Sequence, residues 1–354
     1  MARLRVGIAG ARRGASLASV FALMPDCEIA AACDPDASRL EEFGIRFPGA
    51  ALYSDYPDML ETGLDIAVIA SPVPMHCVQT VAALEAGCHV LQEVTLGQTL
   101  EECRDILGAV LVHPRQKFML AENCCYWAHI LSWKGMYAQG LLGEFLYAEA
   151  EYIHDVRSLM RAEDGSLTWR ASLPPIHYCT HSLGPLLWVT GDRCVTACGL
   201  AGPSRLEPDM SSPDMEVGIF STASGGVVKI LAGFRVVREP SFHYYSIYGT
   251  RGCLETVRPP KPLATVSYLS QVPHLQNMIE MPLGYSMPGA SRDAERGGHG
   301  TAERDMVAAF LRSIWSDTDP PIDIYRALDM AVPGLCAHES ALQGGKPVDV
   351  PAWR

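Results

Sequence analysis

The stretch Arg3-Leu-Arg-Val-Gly-Ile-Ala-Gly10-Ala-Arg-Arg-Gly14 decides the fold of the N-terminal part of the chain. Its apolar residues predict a short buried strand, and the apolar spacing over 17–23 predicts a helix directly afterwards. A strand, a glycine turn and a helix N-terminus together form an anion site, because free backbone N–H groups and the helix dipole face one point. The turn departs from G-x-G-x-x-G, since Arg12 stands at the second glycine and Gly14 closes the turn early. An ordinary strand–helix turn is the alternative interpretation.

A second predicted strand, Cys27–Cys33, ends at Asp34. An acidic residue about 20 residues after the glycine turn can accept hydrogen bonds from both ribose hydroxyls of an adenosine. It would repel a 2′-phosphate, so the sequence favours NAD over NADP. The alternative interpretation makes Asp34 the cap of a helix over Asp36–Phe43.

Strand and helix patterns alternate through the first third of the chain. Further strands are predicted over Leu64–Ala70, His89–Val94 and Gln116–Ala121, with helices over Val78–Ala86 and Thr99–Val112 between them. This order predicts a doubly wound parallel sheet, that is, a Rossmann domain of the α/β class. Ligands of such sheets lie at the carboxyl ends of the strands. The residues that fall there are Gly10, Asp34, Ser71, Glu93 and Glu122.

Composition limits the classes of function. The chain has 354 residues, 48% of them hydrophobic, which suffices for two domains with cores of their own. The formal net charge of −12 argues against a nucleic-acid or anionic-membrane surface. The N-terminus enters a strand pattern at once, and no apolar run approaches a membrane span, so a cytoplasmic protein is expected. The 12 cysteines show no metal-ligand spacing, so we expect reduced core thiols and no metal.

From about residue 123 the pattern changes to adjacent strands with few helices. Gly143–Asp155 alternates strongly, and Gly225-Gly226 between two strand candidates indicates a hairpin. We therefore expect an NAD-binding domain over 1–122 and a substrate-binding α+β domain over 123–354, built on a large, mainly antiparallel open sheet. Its free face predicts a homodimer or homotetramer. Within it, 258–298 is expected to be a long loop that forms a lid or an oligomer contact, and 321–354 a tail that packs back on the body.

Four polar clusters occur in this second part. Tyr152 and His154 share one face of a strand, because side chains repeat every two residues. Each lone side chain has an alternative interpretation as a hydrogen-bonded core or surface residue. Their clustering at strand ends and helix starts instead indicates general acid/base work on a sugar. The other clusters are Trp169-Arg170, Tyr178 with His181, and His299 within Gly297–Gly300.

The chain resembles the Gfo/Idh/MocA oxidoreductase family over nearly its whole length. The matching pieces are Gly7–Gly14, Asp34, SPVPMH (71–76), ALEAGCHVLQEV (83–94) and MLAENCCY (119–126). Members usually carry Glu-Lys-Pro after the strand that here ends at Glu93, and their lysine acts on the substrate hydroxyl. This chain has Glu93-Val94-Thr95 there. The resemblance implies NAD as cofactor, bound by Gly10, Arg12, Arg13, Gly14, Asp34, Ser71, Pro72, His76, Glu93 and Asn123.

Within that family the chain looks like glycoside hydrolase family 109, whose members also tend to lack the lysine. The most specific stretch is Glu122–Asp192, which includes GLLGEFLYAEAEYIHDVR and YCTHSLGPLLWVTGD. The resemblance implies that Tyr152 is the base at sugar C2 and that His154, Tyr178 and His181 complete the catalytic set. It implies substrate contacts at Glu122, Trp169, Arg170 and His299.

The expected function is therefore an NAD-dependent glycosidase. It would act by transient oxidation at sugar C3, loss of the C2 proton, elimination of the C1 substituent, water addition and re-reduction. A small-molecule glycoside is the expected partner. The first alternative is an NAD-dependent sugar or polyol dehydrogenase, or a 3-keto-glycoside lyase or hydratase, of the same fold. The second is a non-catalytic protein that keeps NAD as a sensor.

Overall fold

The computed structural model describes residues 3–261, 263–281 and 301–354. Within these residues the chain divides into two compact units, one of residues 3–126 and 301–328 and the other of residues 127–261, 263–281 and 329–354. None of the helices in the described ranges is long and apolar enough to cross a membrane.

The first unit is built on one parallel sheet with the strand order β3-β2-β1-β4-β5-β6. The prediction of a doubly wound parallel sheet is confirmed, and the strand order reverses between β1 and β4. A short strand, β3, and the helix α3 were not predicted, since each spans at most five residues. The strands are β1 Leu4–Ala9, β2 Cys27–Cys33, β3 Ala51–Tyr53, β4 Ile66–Ile69, β5 His89–Gln92 and β6 Phe118–Leu120. The helices before residue 127 are α1 Ala11–Phe21, α2 Ala37–Arg46, α3 Tyr56–Leu60, α4 His76–Glu85 and α5 Leu100–Val112.

Local sequence explains where these elements begin. β4 is buried along its whole length, as a strand covered by helices on both faces must be. Asp36 caps α2 by accepting hydrogen bonds from the backbone N–H groups of the next turn, and Thr99 caps α5 in the same way. The interpretation of Asp34 as the cap of α2 is therefore wrong, because Asp36 performs that role.

The second unit is built on a sheet with the strand order β14-β13-β12-β11-β7-β10-β9-β8-β15. Neighbouring strands are antiparallel except β7 and β10, which are parallel, so the prediction of a large, mainly antiparallel sheet is confirmed. Strand β7 occupies the middle of the sheet. The strands are β7 Phe145–Ile153, β8 Cys194–Ala201, β9 Met215–Thr222, β10 Val227–Gly233, β11 Phe242–Gly249, β12 Gly252–Thr256, β13 Thr265–Leu269, β14 Ile279–Met281 and β15 Val348–Asp349. The remaining helices are α6 Ala128–Ala138, α7 Arg157–Met160, α8 Thr180–Thr190, α9 Thr301–Trp315 and α10 Ile324–Leu342.

The two faces of the second sheet differ in what covers them. α8 packs on the face that carries Ala148 and Ala150 of β7, both of which are fully buried. The opposite face keeps half of Ile219 exposed and carries an ion pair between Lys229 and Glu149, whose Nζ and Oε2 atoms lie 2.7 Å apart. Within the second unit this sheet thus has one covered and one open face, as the alternating pattern predicts.

Two stretches differ from their predicted roles. Strands β13 and β14 lie in the stretch 258–298, which was predicted to be a loop; its Pro, Gly and Ser content obscures their short alternation. Position 262 and positions 282–300 lie outside the described residues, and with them the predicted substrate contact His299. Helix α9 was assigned to the second domain, yet it packs against α1 and against the 3₁₀ turn Asn123–Tyr126 of the first unit.

Candidate functional site

The glycine turn of the first unit lies where the strand order reverses, at the carboxyl ends of β1 and β4. Gly10 adopts φ 89°, and a Cβ atom on it would lie 2.5 Å from the carbonyl oxygen of Ala70. A Cβ atom on Gly14 would lie 2.2 Å from Ile8 Cγ2, so α1 packs closely on β1. Helix α1 begins directly after Gly10, and the N–H groups of its first turn have no acceptor inside the helix. This geometry suits a pyrophosphate group.

Asp34 is held at the end of β2, beside this turn. It is 4% exposed. Its Oδ2 accepts a hydrogen bond from the Ala11 N–H at 2.9 Å, and its Oδ1 accepts one from the Asp36 N–H at 3.0 Å. The carboxylate therefore has a fixed orientation and retains lone pairs, since each oxygen can accept two hydrogen bonds. An oriented carboxylate at this place fits the ribose diol of NAD.

Arg13 lies in α1 and forms ion pairs with two carboxylates, one after β5 and one in α9. Its Nη2 lies 2.6 Å from Glu93 Oε1, after β5, and 2.7 Å from Glu303 Oε1, in α9. Ser16 donates a hydrogen bond to the other Glu303 oxygen at 3.1 Å. Burial alone would lower the pKa of Arg13, but attraction to the two carboxylates raises it above its ordinary value. Arg12, the neighbouring candidate, is exposed.

The ends of β4 and β5 are tied together by His76, which is 1% exposed. Its Nδ1 lies 2.8 Å from the carbonyl oxygen of Thr95, and its Nε2 lies 3.0 Å from that of Ser71. Burial lowers the pKa of His76. The Ser71 hydroxyl donates to Gln79, and Pro72 precedes the 3₁₀ turn Val73–Met75. These residues shape the loops at the strand ends.

The residues that follow β5 and β6 are buried. Val94 is 6% exposed and Thr95 is 1% exposed, so the place of the family lysine is filled by two non-titrating side chains. Glu122 is fully buried, and its Oε1 accepts a hydrogen bond from the Cys124 N–H at 3.1 Å. Asn123 is also buried, and its Oδ1 accepts a hydrogen bond from the Cys124 thiol at 3.5 Å.

In the second unit, Tyr152 and His154 form a hydrogen-bonded pair where β7 ends. Tyr152 Oη lies 3.1 Å from His154 Nδ1, so the two side chains share a face as their spacing predicts. Burial is the main cause that lowers the pKa of His154, and Arg170 and His181 lower it further, whereas Glu239 and Asp155 raise it. A neutral His154 can accept the hydroxyl hydrogen of Tyr152.

The structure brings the other predicted catalytic residues to the same place. The ring centroids of Tyr152 and His181 are 5.5 Å apart, and those of Tyr178 and His181 are 6.0 Å apart. Arg170 donates to the Tyr178 hydroxyl through Nη1 at 3.4 Å, and its guanidinium lies 4.3 Å from the Trp169 ring centroid. The six residues Tyr152, His154, Trp169, Arg170, Tyr178 and His181 form what we call the acid/base cluster.

Sequence reasoning missed two residues that contact this cluster, His243 and Tyr245, both on β11. The His243 ring stacks on the Tyr152 ring with centroids 4.3 Å apart and planes 14° from parallel. The Tyr245 hydroxyl donates to the backbone carbonyl oxygen of His181. The register of β11 on β7, which pairs His243 with Tyr152, is the signal that would have found them, and it is not visible in the sequence.

Comparisons with known proteins show what the chain is similar to. Residues 4–117 match the model of the GFO_IDH_MocA family, described as an oxidoreductase family with an NAD-binding Rossmann fold. A glycosyl hydrolase family 109 protein from Solibacter usitatus is 26% identical, and the match covers 98% of this chain and 87% of the relative. One from Shewanella pealeana is also 26% identical, with 100% and 87% covered.

A solved structure shares the fold. Levoglucosan dehydrogenase in complex with NADH and L-sorbose superposes with a TM-score of 0.85 at 19% identity, over 99% of this chain and 100% of the other. The cradle at Gly10 and Asp34 fits NAD, the cofactor of the matched family. Residues 4–117 are thus similar to the NAD-binding oxidoreductase family Gfo/Idh/MocA, and over its whole length the chain is similar to proteins of glycosyl hydrolase family 109.

Proposed function

We propose that the chain is an NAD-dependent glycosidase that cleaves its substrate by transient oxidation of the sugar. The observation that carries this proposal is the pair of Tyr152 and His154, 3.1 Å apart within a cluster that also holds Tyr178 and His181. An ordinary sugar oxidation needs one acid/base group for one hydroxyl proton. A cleavage by elimination needs a second group, for the proton on the adjacent carbon, and the second unit offers several.

When bound, NAD would be held at the turn of Gly10 and by Asp34, and it would supply reversible hydride transfer at sugar C3. While C3 is a ketone, the proton on C2 is acidic. Tyr152 passes its hydroxyl hydrogen to His154 Nδ1, and the phenolate takes the C2 proton. The electron pair left on C2 forms the C1–C2 double bond and expels the C1 substituent, which water replaces by addition. The net reaction is hydrolysis, so no redox equivalent is consumed.

His181 and Tyr178 are assigned to the hydroxyl groups of the sugar. A neutral imidazole can take the proton of the C3 hydroxyl as the hydride leaves, and His181 is the candidate for this step. The Arg170 guanidinium donates to the Tyr178 hydroxyl and stacks on Trp169, which orients both for contact with the ring and the C1 substituent. The missing lysine fits this division of work, since Val94 and Thr95 are buried and do not titrate.

The test is turnover of nitrophenyl glycosides in D₂O by the holoenzyme. We expect release of nitrophenol, one deuterium at C2 of the sugar product, and no net formation of NADH. Tyr152→Phe should abolish deuterium incorporation. Tyr248→Phe should not, because Tyr248 is a half-buried tyrosine on the opposite face of the same sheet. Release without deuterium, or release after complete removal of NAD, would refute the mechanism. Net NADH formation with free sugars would instead support the dehydrogenase alternative.

A further inference from the structure

Among the ring contacts of the described residues, His243 is the one titratable side chain that stacks face to face on Tyr152, the proposed base. Its plane is 14° from that of Tyr152 with centroids 4.3 Å apart, while Trp127 contacts its other side edge-on at 4.9 Å. The two rings lie at paired positions of β11 and β7, so the backbone ladder fixes their register. The Tyr152 ring is thereby held between His243 and the edge of Phe234, whose centroid lies 5.4 Å away.

The hydrogen bonds around His243 assign its tautomer. The Tyr245 hydroxyl donates its one hydrogen to the backbone carbonyl oxygen of His181. The same hydroxyl oxygen lies 3.4 Å from His243 Nδ1, so in this contact the nitrogen is the donor and the oxygen the acceptor. Nδ1 therefore carries hydrogen, and the basic lone pair of the neutral ring lies on Nε2. Protonation of Nε2 would place a positive charge over the Tyr152 ring.

We propose, on the basis of the proposed function, that His243 is a positioning residue of the acid/base cluster, which holds the Tyr152 ring so that its hydroxyl stays within hydrogen-bond distance of His154 Nδ1. A stacked partner ring favours one orientation of the Tyr152 ring and restricts its rotation. An imidazole is neutral at the pH at which a tyrosine hydroxyl titrates, so the stack acts through position and not through charge. It acts on the face of the ring, whereas His154 acts on the hydroxyl.

Other titratable groups face the same pair and enter its pH dependence. From β7 and the residues after it these are His154 and Asp155; from α8 it is His181; from β11 it is Tyr245. Arg170 and Glu239 act on the pair through His154, with opposite signs. None of these groups stacks on Tyr152, since His154 and His181 are tilted or edge-on to its ring.

His243→Phe separates stacking from charge, because phenylalanine keeps a flat ring but cannot be protonated. The measurement is ¹³C NMR of the holoenzyme labelled at tyrosine Cζ, with the Tyr152 signal assigned from Tyr152→Phe. We expect His243→Phe to keep one sharp Tyr152 signal and to keep kcat within about threefold of the wild-type value, because the stack is kept. We expect His243→Ala to lower kcat about tenfold with KM changed less than about threefold, since binding contacts stay in place.

Tyr248→Phe is the matched control, since Tyr248 lies on the same strand with its side chain on the opposite face, where it donates to Glu255. It should leave the Tyr152 signal and kcat unchanged. His243→Ala should broaden the Tyr152 signal, because the ring loses its stacking partner. A Tyr152 signal as sharp in His243→Ala as in the wild-type protein overturns the proposal, and so does equal broadening in His243→Phe. The NMR line width does not depend on turnover, so failure of the glycosidase assignment alone would leave the broadening intact.

Discussion

Replacing Arg13 by methionine removes the positive charge between two carboxylates of the first unit. Both Glu93 Oε1 and Glu303 Oε1 lie within 2.7 Å of the same Arg13 nitrogen. Their separation is therefore at most about 5 Å, at which two unit charges in an effective dielectric of about 20 repel by about 3 kcal/mol. Glu303 is fully buried, so water cannot restore the lost stabilisation.

We expect Arg13→Met to lower the free energy of unfolding by about 3 kcal/mol. This is the lower end of the range of about 3–5 kcal/mol for removing one partner of a buried ion pair. The lower end applies because 31% of the Arg13 side chain is exposed. The assay is urea unfolding at pH 7 without NAD, followed by circular dichroism.

The control is Arg12→Met, which removes the same charge from the neighbouring, exposed position of the same helix. It should change the free energy of unfolding by less than about 0.5 kcal/mol. Adding Glu303→Gln to Arg13→Met should recover about half of the lost free energy of unfolding, because one of the two carboxylate charges left without Arg13 is removed. The reasoning is refuted if Arg13→Met matches Arg12→Met, or if Glu303→Gln makes the Arg13→Met protein less stable still.

Three further predictions concern single positions. Gly10→Ala should weaken NAD binding, measured by fluorescence titration, because alanine is strained at φ 89° and its Cβ would meet the Ala70 carbonyl. The control is Gly108→Ala in α5, where no atom lies within 4 Å of the new methyl group. This control should raise the free energy of unfolding by about 0.5–1 kcal/mol. Asp34→Ser should raise the affinity for NADP relative to NAD by about tenfold, since the charge that repels a 2′-phosphate is gone; equal ratios in both proteins would contradict this. Burial lowers the pKa of His129 to about 4, so below pH ~6.5 the folded chain binds fewer protons than the unfolded chain, and stability falls as the pH drops towards 4. Urea unfolding at pH 7 and at pH 4.5 measures this loss of stability, which should be smaller by about 2–3 kcal/mol in His129→Leu. An equal loss in both proteins would disprove the prediction.

The sequence predicts the parts of this molecule whose signal is local. The strand-turn-helix at Gly10 and the acidic end of β2 are periodic patterns with a turn residue at a fixed place, and both lie where the patterns indicate. Tyr152 and His154 share a face because a strand repeats every two residues. Tyr178 and His181 come close together because they are three positions apart where a 3₁₀ turn enters a helix.

What the sequence does not predict depends on which strands and helices become neighbours. His243 meets Tyr152 only through the register of β11 on β7, and 90 residues of chain separate the two. In the sequence Glu303 has the pattern of an ordinary charged residue in the first turn of α9, and its ion pair with Arg13 and its hydrogen bond from Ser16 become visible only in the structure. The short strands β13 and β14 were missed for a different reason, because their proline-rich surroundings hide a pattern of only a few residues.

The central place of β7 in its sheet has a consequence for the proposed proton transfer. The backbone of β7 is paired with β11 on one side and β10 on the other along nearly its full length, up to Tyr152 and Ile153. A strand paired on both sides opens only when a large part of its sheet opens, so we expect its amides to exchange with solvent hydrogen most slowly. Tyr152 therefore stands on one of the least mobile segments of this unit, and His154 follows directly. Under the proposed function, the distance between these two side chains would be set before a substrate arrives, and binding would leave little reorganisation to perform.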